Sequence, residues 1–149
     1  MAVRPDPERL GVWRAFLESH AAIEAELERE LQEQRQLPLA WYDVLVQLQE
    51  AGGRRRMHEL AGVLLVHKSS LTRLVDRMET AGLVSRVRCE DDARGMWAEL
   101  TKQGKDVLRH AAPAHLRGVQ RHFAAHLTDT DVIALQRVLA KLLAANGRS

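Results

Sequence analysis

The stretch from Met57 to Thr101 limits the possible folds of this 149-residue chain more than any other part of it. Within it, the run from Val66 to Glu79 has apolar residues at i, i+3, i+4 and i+7, the spacing of one helix face: Leu71, Leu74, Val75 and Met78. The opposite face carries donors and short hydroxyl groups of the kind that contact bases and phosphates: Lys68, Ser69, Ser70, Thr72, Arg73 and Arg77. Gly82 is suited to end the helix in a left-handed conformation. The pattern predicts a helix that reads DNA.

Short elements on either side of this helix complete a supersecondary pattern. The run from His58 to Leu65 predicts a shorter helix, which leaves a turn of about three or four residues before Lys68, as in a helix-turn-helix. Downstream, Leu83 to Arg88 and Met96 to Leu100 predict two short strands around a charged turn. We therefore predict a mainly α fold with a small β-hairpin wing, in which residues 39–100 form a winged helix-turn-helix DNA-binding region.

Four runs of the chain follow one another in a characteristic order: Arg56 to Ala61, Ser69 to Val84, Asp92 to Gly95 and Glu99 to Gly104. In this order and spacing they resemble the MarR family of bacterial transcriptional regulators, and the similarity extends over nearly the whole chain. The resemblance implies a single MarR-like domain over residues 1–149 and a homodimer. It also implies a repressor that binds a pseudo-palindromic operator and is released by a small-molecule effector. The chain departs from the family at His58 and His67, where Ser or Thr usually begins a helix.

The distribution of charge supports a DNA partner better than the net charge of +2 does. From Glu8 to Glu33, three basic residues stand against seven glutamates, whereas from Gly52 to Arg77 six basic residues stand against only Glu59 and Asp76. Three of those basic residues form the run Arg54 to Arg56, which is either a solvated loop or a phosphate contact. We favour the phosphate contact because the run adjoins the DNA-reading helix.

The predicted wing adds two basic residues to this set. Arg94 lies at the tip of the hairpin, where a guanidinium can enter the minor groove. The family's Asp-x-Arg pattern implies that the neighbouring acidic residues orient Arg94 or Arg88, although a solvated turn is the alternative. The complete set of predicted contacts to double-stranded DNA is Arg54, Arg55, Arg56, His67, Lys68, Ser69, Ser70, Thr72, Arg73, Arg77, Arg88 and Arg94.

Two helical regions, residues 8–36 and 101–146, flank the winged helix and are predicted to dimerise. The first carries a coiled-coil-like seam, which Phe16 and Ile23 widen beyond what one partner can cover: Leu10, Trp13, Leu17, His20, Glu24, Leu27 and Leu31. Apolar surface of this extent is costly to expose, at about 25 cal/mol per Å². His20 and Glu24 interrupt the apolar seam, and we therefore predict an effector-binding crevice beside them.

The second flanking region is predicted to hold two helices. Thr101 is the expected N-cap of a helix from Lys102 to His126, with a kink at Pro113. The apolar side of this helix is predicted to consist of Val107, Leu108, Ala111, Leu116, Val119 and Phe123. Thr128 or Thr130 then begins the last helix, with aspartates in its first turn.

Histidine and cysteine residues raise two further hypotheses. His115, His122 and His126 have spacings of seven and four, so they would share one helix face, which makes a zinc-responsive regulator of the same fold an alternative. A complete ligand set is not evident, and we predict neither a metal nor another cofactor, with these histidines packed or at the surface. Cys89 lies between Arg88 and acidic neighbours with opposing effects on a thiol, and we predict a tolerated surface thiol rather than a redox sensor.

Composition and motifs argue against several other classes of protein. Hydrophobic residues make up 46% and charged residues 28%, which is typical of a globular chain, and the longest uncharged apolar run is too short to span a bilayer. The single cysteine and the absence of an apolar leader favour the cytoplasm. No sequence motif of a metalloprotease, a serine hydrolase or a phosphate-binding loop is present, so we predict that the chain is not an enzyme. The remaining alternative, a helical protein-interaction module without DNA binding, is disfavoured by the basic helix face.

Overall fold

A computed structural model describes residues 3–91 and 95–148 of the chain. In chain order its elements are α1 (Pro7–Arg35), α2 (Leu39–Glu50), β1 (Arg54–Arg56), α3 (Met57–Leu64), α4 (Lys68–Thr80), β2 (Val84–Arg88), β3 (Met96–Leu100), α5 (Lys102–His122) and α6 (Asp129–Ala145). A short 3₁₀ turn, Ala124–His126, lies between the last two helices. The three strands form one antiparallel sheet in the order β1-β3-β2. The predicted fold class, mainly α with a small β-hairpin wing, is confirmed.

The described residues divide into two compact units. One comprises the chain up to Glu26 and from Arg117 onward, and the other comprises Leu27–Leu116. We call the second the winged-helix unit, because it contains α2 to α4 and the sheet. No helix among the described residues combines the length and the hydropathy needed to cross a membrane.

The core of the winged-helix unit joins α2, α3 and α4 to the sheet. The apolar stripe predicted for α4 is buried, with Leu71, Val75 and Met78 at 1% exposure or less, and Leu74 packs at its edge. The other large side chains that are fully buried in this core are Leu31, Val44, Leu45, Leu48, Leu60 and Val84. Burying each Leu or Val side chain stabilises the fold by about 1.5 to 3 kcal/mol. This packing determines which face of α4 remains in solvent.

The end of α4 shows the helix stop that was predicted at Gly82. Gly82 has φ +80°, a left-handed conformation that costs glycine little. Its N–H donates to the carbonyl of Glu79 at 2.9 Å, and the N–H of Leu83 donates to the carbonyl of Met78 at 3.0 Å. These two bonds form a Schellman motif, which satisfies carbonyls at the end of the helix. The chain then enters β2 in a fixed direction.

Thr101 is the predicted N-cap of α5, and its side chain joins two elements. The hydroxyl accepts from the N–H of Gly104 at 3.0 Å and donates to the carbonyl of Gly82 at 2.7 Å. Thr128, one of the two predicted N-caps of α6, forms a capping box with Asp131. Both predicted helix starts are therefore confirmed.

The C-terminal part of α5 differs from the prediction in two respects. The helix ends at His122, whereas it was predicted to reach His126, because Phe123 leaves the helical conformation (φ −134°) and a 3₁₀ turn follows. Leu116 was predicted to lie on the apolar side but is 62% exposed. Ala111 and Ala114 are buried instead, since this part of α5 meets the core through small side chains.

Candidate nucleic-acid interface

The polar face of α4 is exposed along its whole length. Its exposed residues include the six that were predicted, together with Asp76 and Thr80: Lys68, Ser69, Ser70, Thr72, Arg73, Asp76, Arg77 and Thr80. The Thr72 hydroxyl donates to the carbonyl of Lys68 at 2.9 Å, which orients this short side chain along the helix. Because the opposite face of α4 is buried in the core, the basic and hydroxyl side chains of the polar face point into solvent. This surface can donate hydrogen bonds to base edges and phosphates.

The start of α4 is also available for contact with an anion. His67 occupies the N-cap position in an extended conformation and makes no side-chain capping hydrogen bond. The first N–H groups of a helix lack partners within the helix, and they carry the positive end of its dipole. A phosphate placed here would satisfy them. At the preceding helix, α3 begins at Met57, so Arg56 rather than His58 precedes it.

One of the two interpretations of the sequence placed the arginines at residues 54–56 in a solvated loop, and the structure does not show that loop. They form β1, which pairs with β3 so that Arg54 lies opposite Glu99 and Arg56 lies opposite Trp97. The guanidinium carbons of Arg54 and Arg56 lie 4.4 and 5.1 Å from the centre of the Trp97 ring. Such cation–π contacts hold the two side chains against the sheet. Contact with phosphate stays a prediction for these arginines.

Arg86 is a residue of this surface that sequence reasoning missed. Its backbone N–H donates to Glu79 Oε2 at 2.8 Å, and its guanidinium lies 3.2 Å from Glu79 Oε1 and also contacts Asp76. The backbone N–H and then the guanidinium of Arg86 hold the pKa of Glu79 below its ordinary value. Arg86 therefore fastens the wing strand β2 to α4. The signal in the sequence was the pair of acidic residues on an otherwise basic helix.

A double-mutant cycle tests this fastening. Arg86→Ala, Glu79→Gln and the double variant should show an interaction energy of about 1 kcal/mol in urea unfolding at pH 7. Because the pKa of Glu79 is lowered by folding, its ionised form contributes stability above the ordinary glutamate value of 4.5, and this contribution is lost as the pH falls below that value. If the effects of the two single variants simply add at pH 7, Arg86 and Glu79 are not coupled. The control is Arg109→Ala, which removes an exposed, ion-paired arginine on α5.

Three predictions concern the wing, namely those for Arg88, Cys89 and Arg94. Arg88 is exposed at the end of β2, as a DNA contact requires, whereas Arg94 lies outside the described residues. Cys89 was predicted to be a surface thiol, and this prediction was wrong, since its side chain is only 3% exposed. The N–H of Cys89 donates to the carbonyl of Gly95 at 2.9 Å, which closes the neck of the hairpin.

The residues predicted for effector and metal binding lie on α1, on α5 and in the 3₁₀ turn. His20 and Glu24 are exposed neighbours on α1, with Nδ1 and Oε2 3.9 Å apart. The shared helix face of His115, His122 and His126 is not formed, because α5 ends at His122 and His126 belongs to the 3₁₀ turn, where its Nε2 lies 3.0 Å from the carbonyl of Arg121. The ring of His115 packs against that of Tyr42, with centroids 4.3 Å apart.

The chain is similar in sequence to a known protein family and to several curated proteins. A family model described as "MarR family" matches residues 35–95. Among curated proteins, the multiple antibiotic resistance protein MarR of Escherichia coli K12 is 31% identical over 85 residues, which cover 57% of this chain and 59% of that protein. The homoprotocatechuate degradative operon repressor of Escherichia coli is 31% identical over 87 residues, 58% of each chain. The chain thus spans less than two thirds of the length of these curated relatives.

Two solved structures are similar over more of their length. AbsC, a MarR family transcriptional regulator from Streptomyces coelicolor, is 35% identical, and the match covers 97% of each chain with a TM-score of 0.88. Sco3205, a MarR family transcriptional regulator from the same organism, was solved in complex with DNA. It is 34% identical, with 95% of this chain and 89% of that chain covered and a TM-score of 0.88.

Proposed function

Because the chain belongs to the MarR family of transcriptional regulators, we propose that it is a sequence-specific DNA-binding repressor that acts as a homodimer and is released by a small-molecule effector. The observation that carries this proposal is the exposed cationic and hydroxyl face of α4, held outward by a buried opposite face. The relatives support it, since one was solved with DNA and another is named as an operon repressor. Family and fold are those of regulators, not of enzymes.

The proposed DNA contacts divide by chemistry. On α4, Arg73 and Ser69 are proposed to read base edges in the major groove, while Lys68 and Arg77 contact phosphates. The remaining predicted residues, Arg54, Arg55, Arg56, His67, Ser70, Thr72, Arg88 and Arg94, would position the domain on the backbone or extend contacts from the wing. A module that binds only proteins is not favoured, because it has no use for this basic face.

The unit that contains α6 supports the homodimer. None of the described residues of α6 is buried within one protomer, and its exposed apolar residues include Ile133, Leu142 and Leu143. The first half of α1 also carries exposed apolar residues, among them Leu10, Trp13 and Phe16, with Trp13 stacked on Phe16 at 6.3 Å between ring centres. Apolar patches of this kind mark interaction sites. A two-fold dimer through residues 8–36 and 101–146 would also set two α4 helices about 34 to 36 Å apart, matching successive major grooves.

The effector site beside His20 and Glu24 is part of this proposal. Both side chains are exposed in one protomer, so a crevice there requires a second protomer to supply the other wall.

The zinc-responsive alternative is weakened by the loss of the shared histidine face. We further propose that the protein acts in the cytoplasm, where its operator DNA would be. Double-stranded DNA, a second copy of the chain and an effector are the only partners that the proposal needs.

Selection of bound duplexes from a random pool tests the function, together with sedimentation of the purified chain. We expect enrichment of an inverted repeat with half-site centres about 10 to 10.5 base pairs apart, and a dimer at micromolar concentration. Selected sequences without symmetry, or a monomer that binds one half-site at full affinity, would overturn the dimeric repressor. Failure to enrich any sequence would overturn DNA reading by α4.

A further inference from the structure

One face of the sheet carries charged and aromatic side chains that join β1 to the wing. Arg54 and Arg56 of β1 and Trp97 of β3 share this face, which is turned away from the buried Ala98, because side chains alternate along a strand. Both guanidinium groups lie over the ring of Trp97. In addition, Nη2 of Arg56 lies 3.5 Å from Oδ2 of Asp91, which belongs to the turn of the wing. Arg56 thus contacts both a strand and the turn of the hairpin.

The side chain of Arg56 is ordered independently of Asp91. Its backbone pairs with β3, its side chain is 29% exposed and packs on Trp97, and it is the residue that precedes α3. An exposed ion pair usually contributes little, because two side chains lose conformational freedom when it forms. Here only the Asp91 side chain, which is 81% exposed, has much freedom left to lose. The pair therefore ties the turn of the wing to the start of the helix-turn-helix.

The negative charge of Asp91 is unfavourable for DNA binding by itself. A carboxylate on the wing repels phosphates, so it weakens binding unless it has a second effect. Its neighbour Glu90 makes no ion pair within the part of the chain that the structure describes, whereas Asp91 is paired with Arg56. We propose that Arg56 is a positioning residue, which acts through Asp91 to hold the wing in the orientation that contacts DNA. This inference rests on the proposed function and gives Arg56 a role in addition to contact with phosphate.

Neutralising the two carboxylates one at a time distinguishes positioning from simple charge. Asp91→Asn and Glu90→Gln each remove one negative charge from an exposed, neighbouring residue of the wing. Charge alone predicts tighter binding to the selected operator for both variants. If Asp91 holds the wing, Glu90→Gln should bind about twofold more tightly and Asp91→Asn about threefold more weakly, because the wing must then be ordered when DNA binds. Asp91→Glu keeps the carboxylate and should bind as the wild type does.

Replacement of Arg56 tests whether Asp91 acts through it. Arg56→Gln should itself weaken binding, and in that background Asp91→Asn should tighten binding about twofold, as Glu90→Gln does, because only its charge then matters. Fluorescence anisotropy with one duplex at one salt concentration measures all variants. Weaker binding after Asp91→Asn in both backgrounds would show that Asp91 does not act through Arg56. Tighter binding in the wild-type background would mean that Asp91 acts only as a charge, and it would overturn the inference.

Amide hydrogen exchange without DNA separates this inference from the proposed function. The N–H of Cys89 closes the neck of the wing on Gly95, so its exchange rate reports how firmly the wing is held. The side chains of residues 88 and 89, which flank this N–H, are the same in all variants. We expect about threefold faster exchange in Asp91→Asn and no change in Glu90→Gln.

Equal exchange rates in the wild type and Asp91→Asn would overturn the inference even for a protein that binds its operator. The expected rates together with unchanged operator affinity would show that Arg56 holds the wing and that DNA binding does not depend on it, which also overturns the inference. If the exchange rates are as expected and no DNA sequence is enriched, Arg56 still holds the wing, and it is the proposed function that fails.

Discussion

Gly104→Ala is expected to destabilise the protein by about 3 kcal/mol, a large effect for one methyl group. A Cβ at this position would lie 2.1 Å from the carbonyl oxygen of Leu83 and 2.8 Å from Leu100 Cδ1. The carbonyl cannot move easily, because it accepts from the N–H of Thr101 at 3.2 Å. The N–H of Gly104 is itself held by the Thr101 hydroxyl. Relief of the clash therefore requires α5 to separate from the start of the wing.

Urea unfolding at one fixed protein concentration measures this effect, since stability depends on concentration for a protein that associates. Gly62→Ala is the matched control. Gly62 lies within α3, and a Cβ there would meet nothing within 4 Å. Alanine is the better helix former by about 1 kcal/mol, so the control should be neutral or stabilising. Equal stability of the Gly104→Ala and Gly62→Ala variants would show that α5 can shift at no cost.

The double variant Ser69→Ala, Arg73→Ala is expected to lose about 100-fold in affinity for the selected operator. A bidentate arginine contact to guanine accounts for about 1 to 3 kcal/mol of discrimination, and loss of the serine contact adds to it. Both side chains are exposed and alanine suits a helix, so the fold should be unaffected. Affinity for random DNA should fall far less, because Lys68 and Arg77 still attract phosphates.

Fluorescence anisotropy with labelled operator and random duplexes, at one salt concentration, separates the two affinities. Arg109→Ala removes a positive charge from the exposed surface of α5 and should change both affinities little. An equal loss on operator and random DNA would mean that Arg73 contacts only phosphate. Unchanged binding by a folded double variant would remove this face of α4 from the proposed function.

Helical periodicity predicted the parts of the fold that depend on local pattern. Leu71, Val75 and Met78 repeat at helix spacing, and Gly82 marks the stop, so the position and buried face of α4 followed from the sequence. The strand β1 did not, because three consecutive arginines have no pattern of a strand. Their conformation depends on pairing with β3 and on the ring of Trp97, which lies about forty residues along the chain.

The candidate site, like the fold, could be predicted where it depends on local sequence pattern. Residues that project from α4 could be named, since their exposure follows from the burial of the opposite face. Arg86 could not, because its role depends on the meeting of β2 with Asp76 and Glu79 in three dimensions. The burial of Cys89 could not be predicted either, because no local pattern in the chain indicates it. The end of α5 was missed because no glycine or proline marks it.

Mutations in the DNA-reading face and mutations in α6 are expected to differ in genetic dominance. Because α6 buries none of its described residues within one protomer, the proposed pairing depends on surfaces far along the chain from the reading face. A subunit with a damaged α4 and an intact α6 would still combine with normal subunits and inactivate them. Such an allele would be dominant over the wild type, whereas an allele that damages α6 would be recessive.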